Sequence, residues 1–138
     1  MPNHNSQADL PHEAVYKLID DDNCAEAFRM IQEYRSQAFD CPEFTLYEAL
    51  CFYDEKNDLE CVRKCLSFIS DNPTHSKKNY ALFTIAMSLC NVGLEEDALS
   101  ILQSLPASYP DRDREIHKLE ATLKVREEVR SVLKAIKG

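Results

Sequence analysis

Between residues 79 and 112, small and apolar residues fall at spacings that leave few folds open. Leu82, Ile85, Ala86 and Leu89 come first, followed by Gly93, Ala98, Leu102, Leu105 and Pro110. Intervals of three and four place the first group on one helical face, and the later group repeats the pattern after a break. The spacing predicts a helix, a tight turn and a second helix. Ala86 lets the first helix approach the second, Gly93 permits the turn, Ala98 gives a close crossing point and Pro110 ends the unit.

The same marks recur upstream. A second copy starts near Pro42, with Ala49 and Phe52 in its first helix, Cys61 and Cys65 where Ala98 and Leu102 stand, and Phe68 and Pro73 for Leu105 and Pro110. A weaker copy covers Ala8 to Cys41 through Val15, Leu18, Ala27, Ile31 and Tyr34. Ala27, Cys61 and Ala98 lie 34 and 37 residues apart, and the loop from Thr74 to Lys78 accommodates the three extra residues. After Pro110 a long helix is expected from Arg112 to Lys137, with a stripe of Ile116, Leu119, Leu123, Val129, Leu133 and Ile136. Two roles stand open for it. It caps the apolar end of the array, or its half from Val125 onward projects and pairs with a partner.

Composition narrows the class. Two glycines in 138 residues and the lack of alternating β-branched runs argue against strands. The net charge is −8, and residues 1–110 carry −10 of it, because eight basic and six acidic residues follow from Asp111. Such a body does not suit nucleic acid, whose backbone calls for clustered Lys and Arg. The polar start predicts no signal peptide, and no run of about 18 apolar residues predicts a membrane span. Cys24, Cys41, Cys51, Cys61, Cys65 and Cys90 are then expected as reduced thiols in the cytoplasm.

These offsets resemble the tetratricopeptide repeat (TPR). The resemblance covers residues 8–112 and departs from the family's usual first-helix aromatic at Thr45 and Leu82. It implies an all-α fold, a superhelical array of about three TPR-like helix pairs with a C-terminal capping helix. In this layout residues 1–9 are a flexible arm, 10–112 the array and 113–138 the cap. Carried over position by position, the family's concave groove falls on His12, Tyr16 and Ile19. In the second unit it falls on Leu46, Leu50 and Tyr53, and in the third on Tyr80, Phe83, Met87 and Cys90. TPR proteins that clamp C-terminal carboxylates place Lys and Asn there, so that use is not expected. An apolar, aromatic groove implies capture of an amphipathic helix or apolar peptide from a protein partner. Burying ~600 Å² there corresponds to roughly 15 kcal/mol before association costs. In size and helix count the layout also resembles the small TPR chaperones of type III secretion. It resembles, too, the cytosolic domain of the mitochondrial fission adaptor, from which its extra N-terminal helix pair sets it apart.

Candidate chemistry is sparse. Cys61 and Cys65 share a helical face with His75 nearby, but no second Cys or His pair completes a four-ligand zinc site. No nucleophile has an orienting partner, and Asp20, Asp21 and Asp22 read as a solvated turn. Two glycines cannot build a phosphate loop. The expectation is a non-enzyme with no catalytic residue, metal or cofactor. Three alternatives stay open: a groove filled by the chain's own arm or final helix, a protein that self-associates through 112–137, and a thiol sensor. Both a heterocomplex and a homodimer are compatible with the sequence.

Overall fold

Three turns in this chain are built alike, and they set its architecture. The computed structural model describes residues 4–137, with side chains from residue 11 onward. Its elements are α1 (His4–Asp20), α2 (Cys24–Ser36), α3 (Pro42–Asp54), α4 (Asp58–Asp71), α5 (Lys78–Asn91), α6 (Glu95–Ser104) and α7 (Arg112–Lys137). There is no strand among the described residues, so the all-α class holds. α1, α3 and α5 are each followed by a residue in the left-handed region: Asp22 at φ 60°, Lys56 at 61° and Gly93 at 83°. The next amide in each turn reaches back over the helix end. Asn23 donates to the Leu18 carbonyl at 2.7 Å, Asn57 to Phe52 at 2.9 Å and Leu94 to Leu89 at 2.9 Å. These bonds satisfy carbonyls that a helix end otherwise leaves unpaired.

The same three residues then open the second helix of each pair. Their carbonyls accept from Ala27 at 3.1 Å, Cys61 at 3.0 Å and Ala98 at 3.0 Å. All three acceptor-bound residues are fully buried. The 34- and 37-residue spacing therefore has a backbone cause: each small residue sits four positions after the turn, where the paired helices cross. The three extra residues of the longer interval are not confined to the loop, where the sequence suggests them: α4, the connection of residues 72–77 and α5 are each one residue longer than α2, the connection of residues 37–41 and α3.

Each helix packs on its neighbour in the chain, and α3 also touches both α1 and α5. The core has two lobes that share α5. One gathers Val15, Ile31, Phe44, Leu46, Tyr47 and Phe68 from α1–α4 with Ala81 and Ile85 of α5. The other joins Ala86, Ala98, Leu102 and Leu105 to Ile116 and Leu119 of α7. Glu48, buried in α3, is paired with Arg35 of α2 and Lys64 of α4.

α7 is half cap and half projection. Its first turns bury Ile116 and Leu119, and Arg112 donates to the Leu102 carbonyl at 3.1 Å and the Gln103 carbonyl at 3.3 Å. The last tie to the body is Arg126, paired with Glu95 at the start of α6. Beyond it Val129, Val132, Leu133 and Ile136 are exposed. α1 begins at His4, within the span expected as an arm over residues 1–9, and residues 1–3 lie outside the described residues. No described helix is long and apolar enough to cross a membrane.

Candidate functional site

The touching helices α1, α3 and α5 present one face, and α7 begins along its far edge. Between α3, α5 and α7 lies an open cleft of about 320 Å³. Leu50 and Tyr53 of α3 form one wall, and Tyr80, Phe83, Thr84 and Met87 of α5 form the floor. Asp111, Arg114 and Glu115 close the third side. Helical spacing explains the floor, because residues 80, 83, 84 and 87 repeat at intervals of three and four. Phe83 is held by Tyr109, whose ring lies 5.4 Å away in the turn before α7. Thr84 turns its hydroxyl back to the Tyr80 carbonyl at 2.9 Å, so the floor behaves as apolar surface.

Five of the ten expected groove residues meet in this cleft: Leu50, Tyr53, Tyr80, Phe83 and Met87. Tyr16 lies beside it, its ring 5.4 Å from Tyr47 with the Lys77 ammonium 5.9 Å above it. Burial pushes the Tyr80 phenol up to about 12, helped by the neighbouring phenols of Tyr16 and Tyr109. Ile19 and Cys90 are half-buried and pack against the two core lobes. Leu46 is a correction. It is 0 % exposed in the core and no ligand reaches it. Its helix, α3, is packed against α1, α2, α4 and α5.

His12 is likewise spent internally. Its ring stacks on Tyr47 at 5.1 Å, and its Nδ1 lies 2.6 Å from the Tyr47 hydroxyl. Sequence reasoning missed Asp111, Arg114 and Glu115, because they reach the cleft only through the tertiary path of α7. Arg114 is shared between Asp111 at 3.3 Å and Glu115 at 3.7 Å, and Lys118 reaches the same Glu115 oxygen at 3.6 Å, so the charges along this edge are paired.

The groups that invited chemistry have other occupations. His75 Nδ1 accepts the Lys77 amide at 3.0 Å, so Nε2 carries the hydrogen that it donates to Glu43 at 2.9 Å. Burial alone raises the Glu43 carboxyl, but hydrogen bonds from His75 and its own backbone outweigh that and hold it below the ordinary value. Cys61 and Cys65 are both fully buried. A hydrogen bond from Cys65 lowers the Cys61 thiol against the opposing effect of burial, and Cys65 is raised in turn. A thiol sensor needs access that neither sulfur has. A shallow depression on the outer side of α2 is lined by Arg29, whose guanidinium is taken up by Glu26 and Glu33.

Comparison with protein-family models and with curated proteins finds no match.

Proposed function

We propose that this chain is a non-enzymatic TPR-like adaptor or chaperone, working in a reducing, cytosol-like compartment, whose cleft holds an amphipathic helix of a partner protein. The observation that carries this reading is the cleft itself. Leu50, Tyr53, Tyr80, Phe83 and Met87 converge from two helices on an open surface, with ionised groups only along one edge. Rigid aromatic rings and an adaptable Met are what helix-in-groove recognition uses. The three like-built turns and the α1–α3–α5 contacts support the repeat architecture that such grooves need. The secretion-chaperone form is the leading version of this reading, and a membrane-tethered fission-type adaptor or a self-associating helical-repeat protein is its alternative.

The test is titration of a synthetic amphipathic helix, apolar at i, i+3, i+4 and i+7 and flanked by lysines, followed by amide chemical shifts. Shifts should centre on residues 50, 53, 80, 83 and 87. Leu50→Glu and Phe83→Glu should each weaken binding roughly 30-fold or more, as loss of an interface anchor does. Binding that leaves these amides unmoved, or survives Phe83→Glu, refutes the reading.

A further inference from the structure

The cleft and a stripe on the far half of α7 are both apolar surfaces that face solvent. Val125, Val129, Val132, Leu133 and Ile136 are between 47 % and 76 % exposed. Steps of four, three and four from Val125 to Ile136 set four of them along a single helical face. We propose that the far half of α7 from one copy of this chain lies in the cleft of a second copy. The proposal rests on the cleft being a helix-binding groove, and it names the partner.

Charge favours it. Residues 124–137 hold five basic and two acidic residues, net +3, and the total of −8 leaves −11 on residues 1–123. A basic amphipathic segment is drawn to an acidic body. Shape favours it as well. The stripe presents pairs of branched side chains one turn apart, Val129 with Leu133 and Val132 with Ile136, and the cleft offers an aromatic floor for such pairs.

Geometry decides between the chain's own tail and another's. Glu115 of α7 lines the cleft, and α7 continues unbroken to Lys137. At 1.5 Å per residue, Val129 stands about 21 Å further along the axis and Ile136 about 31 Å. A continuous helix cannot bring those residues back to its own first turn, so the tail can fill only another copy's cleft. Pairing of tail on tail is the weaker alternative. The stripe covers under two heptads where three to four mark a coiled coil, and each tail brings a charge of +3.

Sedimentation velocity on the full chain, from low to high micromolar concentration, tests this directly. Wild type should assemble with concentration, and added salt should weaken the assembly several-fold. Val129→Glu with Ile136→Glu removes the tail's apolar face, and Phe83→Glu spoils the cleft. Each should weaken assembly roughly 30-fold. Mixed together, the two variants should restore one interface and form a capped one-to-one heterodimer, because one retains a good cleft and the other a good tail. If Phe83→Glu misfolds by circular dichroism, Met87→Glu replaces it. A wild type that stays monomeric, an assembly that survives the cleft variant, or a mixture that stays monomeric overturns the proposal. The lysine-flanked peptide separates the two failures: if it still binds the cleft, only the self-partner falls, and if it does not, the groove falls too.

Discussion

The guanidinium of Arg35 on α2 lies 2.8 Å from the carboxylate of Glu48 on α3, and Lys64 of α4 stands 3.4 Å from the same oxygen. The Glu48 side chain is only 4 % exposed, so three helices meet on one buried charge. Thr45, at the place where a TPR commonly has an aromatic, accepts a further bond from Arg35 at 3.4 Å. Removing one partner of a buried pair costs far more than replacing both with apolar groups. Arg35→Met should therefore lower unfolding free energy by about 2–4 kcal/mol. Adding Glu48→Leu should recover most of the loss, as read from urea melts of the single and double variants.

The left-handed turns make a second, opposite prediction. Asp22 and Lys56 hold the conformation that Gly93 holds, and each carries a Cβ that this region disfavours. Lys56→Gly and Asp22→Gly should each stabilise the fold by about 0.5–1 kcal/mol, while Gly93→Ala should destabilise it by about 1 kcal/mol. Around Gly93 the nearest neighbour to an added Cβ is a Glu95 side-chain oxygen 3.8 Å away, so the cost comes from backbone strain and not from a clash. Thermal denaturation of the three variants is sufficient to check the signs.

Acid should act through Glu43. Its folded carboxyl titrates below its ordinary value of 4.5, so ionised Glu43 contributes stability above that pH. The contribution is lost as pH falls through the folded value. Glu43→Gln should be less stable than wild type at neutral pH by about 1–3 kcal/mol, the range for a hydrogen bond to a charged group. The difference should close as pH drops below 4.5. A gap that stays constant with pH in denaturation curves would show that the His75 bond does not depend on the ionised form.

The two halves of α7 should behave differently under mutation. Leu119 is buried against the second core lobe, and Leu119→Ala should cost about 2–4 kcal/mol. Deleting residues 128–138 removes a segment beyond the Arg126–Glu95 tie and should change stability by less than about 0.5 kcal/mol. Differential scanning calorimetry of the two variants compares them on one scale.

Part of this fold can be read in the chain because close packing of helices depends on residue size. Ala27, Cys61 and Ala98 mark the crossings, and the stripe of Ile116 and Leu119 marks the cap. The turn chemistry was hidden, since Asp and Lys carry no sign that they adopt a positive φ. Glu48 was hidden too, because a carboxylate in a helix reads as exposed until its two cations arrive from other helices. For the cleft, α5 was legible because its lining residues are local to one helix. Leu46 does not line the cleft because it is enclosed in the core among residues of several helices. The charged edge at Asp111, Arg114 and Glu115 depends on how α7 crosses the end of the array, which no spacing within one unit encodes.

The helix that borders the cleft is also a lever. Glu115 sits at its near end, Leu119 and Arg126 hold it to the body, and the later turns are exposed. From Leu119 to Lys137 the arm is about 27 Å long, so a tilt of about 5° at Leu119 carries the tip through roughly 2 Å. The displacement from any tilt of α7 at the cleft wall would therefore be larger at its exposed end than at the cleft.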